Sequence, residues 1–100
     1  MITATKDAIV EYIKKHKDEL KEKYSIEKIG LFGSFATNNY TDKSDIDIVY
    51  TTSSKGLTYT QELSLEDEFE STFGKSIDLV NLKYMNPLIK RKAIKDIIYV

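Results

Sequence analysis

The sequence predicts an α/β fold, a small mixed three- or four-stranded sheet with helices packed on it, in the order α-β-α-β-α-β-α. Segments with apolar residues at helical spacing alternate along the chain with short segments rich in β-branched residues. No internal repeat, low-complexity tract or linker interrupts this alternation. One hundred residues, 41% hydrophobic and 31% charged, suit one small core, so residues 1–100 are predicted to form a single domain.

The first half of the chain is predicted to contain two helices and two strands. Residues 6–22 carry apolar side chains at helical spacing, with Thr5 as the N-cap. Residues 26–32 are β-prone, and a Gly-Ser pair then leads into one or two helical turns over 34–38. After a turn rich in Asn, Asp and Ser, residues 45–50 form the second predicted strand.

The second half repeats this alternation. A polar loop over 51–56 precedes a capping-box pattern and a helix over 59–73. The third strand is expected over 76–80, and the last residues of the chain are expected to form a short strand. Between them a helix begins at Asn86-Pro87, and its predicted apolar face consists of Leu88, Ile89, Ala93 and Ile97.

Composition excludes several classes of protein. Fifteen Lys and Arg against sixteen Asp and Glu give a net charge of −1, which lacks the basic footprint of a general nucleic-acid binder. The absence of cysteine excludes a disulfide framework and cysteine-ligated metal sites. Because no apolar run is long enough for a signal peptide or a membrane span, we expect a cytoplasmic protein with neither a membrane nor nucleic acid as its partner.

Positive charge is concentrated near the C-terminus. Over residues 79–100 only Asp96 opposes five cationic side chains. Two interpretations are open at this stage: a solvated helix face, or a surface that meets an acidic partner or nucleic acid. The five cations are Lys83, Lys90, Arg91, Lys92 and Lys95.

Three aspartates are unusual for their position in predicted strands. Asp45 and Asp47 are two residues apart in one strand, so their carboxylates project from the same face about 6 to 7 Å apart. Asp78 lies in the next strand, between apolar residues that point to the opposite face. If the two strands are neighbours, the three carboxylates converge and require a compensating cation.

Carboxylate oxygens without nearby His or Cys favour Mg²⁺. Two such ions, about 3.5 to 4 Å apart, can stabilise both the attacking and the leaving oxygen of a phosphoryl displacement. Asp45, Asp47 and Asp78 supply the number of carboxylates that a pair of ions requires.

Gly33 and Ser34 form the second candidate feature. A glycine permits close backbone approach, a helix N-terminus offers unpaired N–H groups, and the Ser34 hydroxyl adds a donor, so the pair can hold a phosphate. Taken alone, a Gly-Ser pair is better explained as a plain turn.

The combination of these motifs resembles the DNA polymerase β-like nucleotidyltransferase superfamily, and within it the minimal nucleotidyltransferase (MNT) antitoxins of HEPN/MNT toxin–antitoxin pairs. The resemblance rests on Gly33-Ser34, on Asp45-Ile46-Asp47 after ten further residues, and on Asp78 within Ile-Asp-Leu-Val. It implies a nucleotidyltransferase-like fold, with Gly33 and Ser34 binding the triphosphate of ATP. It further implies Mg²⁺ held by Asp45 and Asp47, and an Asp78 that completes the catalytic and metal site beside the acceptor hydroxyl.

The resemblance also implies an activity and a partner. A family member of this kind moves AMP from ATP to a hydroxyl, typically of a tyrosine, on a HEPN toxin and thereby silences the toxin's ribonuclease activity. One hundred residues leave little room for an acceptor domain, so the acceptor is expected from another protein.

One departure from the family pattern keeps alternatives open. Family members commonly continue the Gly-Ser motif with Ala-Arg-Gly, whereas this chain has Thr37 in place of the arginine. A non-catalytic antitoxin that neutralises the toxin by binding, with a vestigial nucleotide site, is therefore the main alternative, and transfer to a small molecule is a third. The lysines that could replace the missing cation are Lys43, Lys75 and Lys83.

Overall fold

The computed structural model describes residues 1–53 and 56–100, and within them it confirms the predicted α/β class and element order. Helices and strands alternate, and a 3₁₀ turn precedes the last helix. The elements are α1 (Lys6–Tyr24), β1 (Ile26–Phe32), α2 (Gly33–Ala36), β2 (Ile46–Thr52), α3 (Tyr59–Phe73), β3 (Ile77–Asn81), the 3₁₀ turn (Leu82–Tyr84), α4 (Pro87–Ala93) and β4 (Ile98–Tyr99).

The four strands form one mixed sheet in the order β3-β2-β1-β4. β1 pairs antiparallel with both β2 and β4, whereas β2 and β3 are parallel and are joined by α3. A parallel pair needs such a crossover connection, and a helix supplies it. This arrangement confirms the mixed sheet predicted from the sequence and makes β3 an edge strand.

The core lies between one face of the sheet and helices α1 and α3. Side chains alternate along β2, so Ile46, Ile48 and Tyr50 face the helices and are fully buried. On α3, Leu65 and Phe69 are also completely buried. Burial of each such side chain contributes roughly 1.5–3 kcal/mol, which makes this layer the main source of stability.

Local signals account for the helix boundaries. The Thr5 side chain accepts a hydrogen bond from the Ala8 N–H at the start of α1, and α1 extends two residues beyond the predicted end until Ser25 adopts the left-handed conformation at φ 56°. At the start of α3, Thr58 and Gln61 form the complete predicted capping box. The predicted bounds of α3 and β1 are confirmed.

Two boundaries predicted near β2 are wrong. The sequence places Thr51 and Thr52 in the loop over 51–56, but they belong to β2, because they pair with Lys28 and Ile26 of β1. Ser54 and Lys55 of that loop lie outside the described residues. At the other end, Asp45 precedes β2 rather than opening it. The short helix α2 likewise begins at Gly33 and ends at Ala36 instead of spanning 34–38.

The C-terminal helix differs most from its prediction. It ends at Ala93 instead of continuing to Ile97, and none of its residues is buried; Leu88 and Ile89 are 75% and 57% exposed. The chain turns over 94–96 so that Ile97 reaches Gly30, where an added Cβ would lie 2.9 Å from the Ile97 Cγ2. Pairing of β4 with β1 therefore takes precedence over a longer helix.

A partly buried hydrogen bond joins the sheet to α3. The Tyr50 hydroxyl donates to the Glu62 Oε1 at 3.1 Å, and burial together with this carboxylate raises the pKa of Tyr50 to about 12. We expect Tyr50→Phe to lower the free energy of unfolding by about 1 kcal/mol, because the partly buried Glu62 loses its partner. Urea unfolding measures this loss. Tyr59→Phe is the matched control, since Tyr59 is 76% exposed, and equal stability losses in the two variants would contradict the expectation.

No helix within residues 1–53 and 56–100 is both long enough and apolar enough to cross a membrane.

Candidate active site

The Gly33-Ser34 turn lies where β1 ends and α2 begins. Gly33 adopts φ +73°, a left-handed conformation that favours glycine. A Cβ at this position would overlap the Asp47 Oδ2 and lie 3.0 Å from the Asp47 Cγ. The turn backbone and the Asp47 carboxylate are thus in direct contact, and only glycine fits between them.

Side chains around the turn hold it in place. The Thr37 hydroxyl donates to two backbone carbonyls, that of Gly33 at 3.3 Å and that of Ser34 at 3.4 Å. Beneath the turn the Phe35 ring is buried and stacks on Tyr40 with centroids 4.2 Å apart. This stack is not predictable from the sequence, since Tyr40 lies in a polar turn and no periodic pattern marks it.

Asp47 and Asp78 are brought side by side by the parallel pairing of β2 and β3. Their Cα atoms are register partners, and neighbouring strands lie about 4.8 Å apart. Asp47 alternates with the buried Ile46 and Ile48, so its carboxylate projects from the sheet face opposite to the helical core. The two strands are therefore neighbours, which is the condition that the sequence set for these carboxylates to converge.

The electrostatic consequence appears at Asp47, which is half-buried. Burial, followed by the negative charges of Asp78 and Asp45, raises the pKa of Asp47 to about 6. Asp45 and Asp78 themselves are exposed. Among the described residues the one ion pair joins Lys23 to Glu68, so no cation of that part of the chain pairs with these three carboxylates. The site therefore has a net negative charge that favours a bound cation.

The donor set fits a hard divalent cation such as Mg²⁺. Three carboxylates without imidazole or thiolate are oxygen ligands only. Within residues 1–53 and 56–100, no three acidic or imidazole side chains are close enough to enclose an ion by themselves. Mg²⁺ commonly uses one or two carboxylates and takes its remaining oxygens from substrate phosphates and water, and an open carboxylate site of this kind suits that mode.

Of the lysines that could replace the missing arginine, Lys75 lies near Phe35 of α2. Its Nζ is 6.0 Å from the Phe35 ring centroid and donates to the Asp42 carbonyl at 2.7 Å. Lys83 instead lies over the Tyr84 ring. Lys75 therefore ties the loop before β2 to the underside of α2 and brings a positive charge to this end of the sheet.

Comparison with known proteins gives concordant matches. The polymerase beta nucleotidyltransferase family matches residues 14–100. A Methanocaldococcus jannaschii protein, provisionally named a protein adenylyltransferase, is 42% identical over 92% of this chain and 94% of its own length. The protein adenylyltransferase MntA of Thermococcus cleftensis is 27% identical over the full length of both chains.

Solved structures share the fold. A structure provisionally described as a minimal nucleotidyltransferase has a TM-score of 0.77 at 17% identity and covers 95% of both chains. The structure of a tri-AMPylated Shewanella oneidensis HEPN toxin with its MNT antitoxin contains a chain with a TM-score of 0.60 at 18% identity, covering 94% of this chain and 66% of that one. The resemblance drawn from the sequence motifs is confirmed, and this chain belongs to the polymerase beta nucleotidyltransferase family.

Proposed function

We propose that this protein transfers AMP from ATP to a tyrosine hydroxyl of a HEPN toxin and acts as the antitoxin of that toxin. The observation that carries the proposal is the register pairing of Asp47 with Asp78 directly beside the Gly33-Ser34 turn. Relatives named protein adenylyltransferases support the type of transfer. The fold shared with a chain of the complex between a tri-AMPylated HEPN toxin and an MNT antitoxin supports the choice of acceptor.

Gly33 and Ser34 are assigned to the triphosphate of ATP. The first N–H groups of a helix have no partner within the helix, and the lack of a side chain at Gly33 lets a phosphate approach the backbone closely. The Ser34 hydroxyl adds one more donor. Because the turn contacts Asp47, a phosphate held there lies next to the carboxylates.

Asp45, Asp47 and Asp78 are assigned to Mg²⁺. When bound, Mg²⁺ would offset the carboxylate and phosphate charges and stabilise the charge that develops on the leaving pyrophosphate. The three carboxylates offer oxygen ligands alone, and a hard ion that keeps free coordination positions for phosphate oxygens suits such a set.

Asp78 is assigned to the acceptor. It is exposed on the edge strand β3, so a hydroxyl of another protein can approach it from solvent. The acceptor oxygen forms a bond to the α-phosphorus while the bond from that phosphorus to the bridging oxygen breaks and pyrophosphate leaves. Asp78 orients the hydroxyl, whose proton passes to Asp78 or to water. On this proposal the 100 residues are a single domain that supplies the nucleotide half of the reaction.

Intact-mass analysis of the cognate HEPN toxin tests the proposal. After incubation with the wild-type chain, ATP and Mg²⁺, we expect the toxin mass to increase by one or more AMP residues and its ribonuclease activity to fall. Asp45→Asn is expected to prevent both changes, whereas Asp18→Asn, an exposed change of equal charge on α1, leaves both intact. An unmodified toxin after incubation with the wild-type chain would contradict the proposal.

Thr37 favours the second candidate, a binding antitoxin with a vestigial site. Its hydroxyl holds the turn through the Gly33 and Ser34 carbonyls but supplies no positive charge to a triphosphate. The two candidates differ in one outcome: a binding antitoxin still neutralises the toxin when Asp45 is replaced by Asn, and the enzyme does not.

A further inference from the structure

The C-terminal helix presents apolar side chains that the fold does not use. Leu88 and Ile89 are exposed, Ile94 is 49% exposed, and α4 has no buried residue. A helix at the surface of a folded domain normally buries its apolar stripe against the core. Contiguous exposed apolar residues with a polar rim mark interaction sites.

Basic residues lie between these apolar residues along the chain. Lys90, Arg91 and Lys92 are consecutive, and no ion pair engages them within the described residues. Basic residues in the last turn of a helix interact favourably with the helix dipole. This interaction does not explain why three basic residues are consecutive or why they have exposed apolar neighbours. We refer to Leu88, Ile89, Ile94, Lys90, Arg91 and Lys92 together as the α4 surface.

The C-terminal segment lies on the same sheet face as the catalytic carboxylates. Gly30 pairs with Val49, and Val49 alternates with the inward-facing Ile48 as Asp47 does. Ile97 lies against the open face of Gly30, and the 3₁₀ turn before α4 contacts β2. The segment therefore crosses the face from which Asp47 projects.

We propose that the α4 surface is the docking site for the protein acceptor, and that it binds a protein surface that carries both acidic and apolar side chains. This inference rests on the proposed function and names the partner-binding surface of the same reaction. The three basic residues select for acidic side chains, and Leu88, Ile89 and Ile94 supply exposed apolar contact area for the interface.

The carboxylates on the same face favour a protein partner over a nucleic acid or an anionic membrane. A nucleic-acid backbone or an anionic membrane laid across this face would meet Asp45, Asp47 and Asp78, which have no cationic partner among the described residues. A protein can place isolated acidic side chains on α4 and a neutral hydroxyl at the carboxylates. Its apolar side chains also match Leu88 and Ile89, which phosphates cannot do.

A charge-reversal variant tests the docking surface. We expect Lys90→Glu, Arg91→Glu and Lys92→Glu together to weaken binding to the cognate HEPN toxin by about 100-fold in a titration at physiological salt. The matched control reverses three exposed lysines of α1, Lys14, Lys15 and Lys17, and is expected to keep the wild-type affinity. A second variant, Leu88→Ser with Ile89→Ser, removes two exposed apolar side chains and is expected to weaken binding by about tenfold. Circular dichroism verifies that each variant is folded.

Kinetics separate docking from chemistry. For AMP transfer, the charge-reversal variant is expected to raise the KM for the toxin while kcat and the Kd for a fluorescent ATP analogue stay unchanged. If the wild-type chain binds the toxin without modifying it, the proposed reaction fails but the affinity comparison still tests the surface. Unchanged toxin affinity in both α4 variants would overturn the docking proposal. The docking proposal would also be overturned if the α4 variants selectively lost binding to an RNA oligonucleotide, to phosphatidylserine vesicles or to a second copy of this chain.

Discussion

Replacement of Asp47 by Asn is expected to lower AMP transfer by about 100-fold or more and to raise the stability of the ligand-free protein. The loss of transfer follows from the removal of a carboxylate assigned to Mg²⁺, since electrostatic stabilisation of a reacting phosphate of this kind contributes at least that factor. The gain in stability follows from the half-buried position of Asp47 beside Asp78 and Asp45. One substitution therefore has opposite effects on activity and on folding.

The sign of the stability effect depends on pH. The pKa of Asp47 is about 6 in the folded chain and 3.8 without its environment, so the folded state binds more protons between these values. The contribution of Asp47 to stability is favourable below about pH 4 and is lost as the pH rises through 6. Asparagine carries no charge, so the Asp47→Asn variant escapes this loss. After allowance for solvent screening at a half-exposed group, we expect the variant to be more stable by about 1–2 kcal/mol above pH 7.

Thermal unfolding without divalent cations or nucleotide, at pH 4 and pH 8, measures the difference. A gain of about 1 kcal/mol corresponds to roughly 4–8 °C for a chain of this size. Asp67→Asn on the exposed face of α3 is the control of equal charge change, and no comparable gain is expected from it. Addition of Mg²⁺ with a non-hydrolysable ATP analogue is expected to stabilise the wild-type chain more than the Asp47→Asn variant. A variant less stable than the wild-type chain at pH 8 would contradict this account.

Local chemistry predicted the part of the fold that holds the site. Thr58, Gln61 and Gly74 set the ends of α3, and a helix of that length supplies the crossover that the parallel pairing of β2 and β3 requires. Asp47 and Asp78 then become neighbours because each lies one residue after a buried isoleucine, Ile46 or Ile77. The carboxylate pair was predictable because it follows from alternation and topology alone.

The C-terminal segment was not predictable in the same way. Helical spacing of Leu88, Ile89 and Ala93 indicates an apolar face, but spacing does not say whether that face packs on the core or on another molecule. The contact of Ile97 with Gly30 decides the outcome, and it joins residues far apart in the chain. The contact between Gly33 and Asp47 was also not predictable, because it depends on the register in which β1 pairs with β2.

The contact between Gly33 and Asp47 makes Gly33→Ala a more specific test of the site. An alanine at φ +73° costs roughly 1–2 kcal/mol, and its Cβ would also displace the Asp47 carboxylate. Gly74→Ala is the matched control, because Gly74 has φ +67° and its added Cβ would meet only the flexible, exposed Met1 side chain.

Both alanine variants are expected to lose similar stability in urea unfolding. Only Gly33→Ala is expected to lose AMP transfer, by about 100-fold, because a carboxylate moved by about 1 Å no longer suits the reaction. The double variant of Gly33→Ala with Asp47→Asn then identifies the cause. If the alanine acts through Asp47, the double variant transfers AMP no more slowly than Asp47→Asn alone. If the two losses of transfer multiply in the double variant, Gly33 acts on the nucleotide independently of Asp47. If the Gly33 and Gly74 variants lose transfer equally, backbone strain alone is responsible.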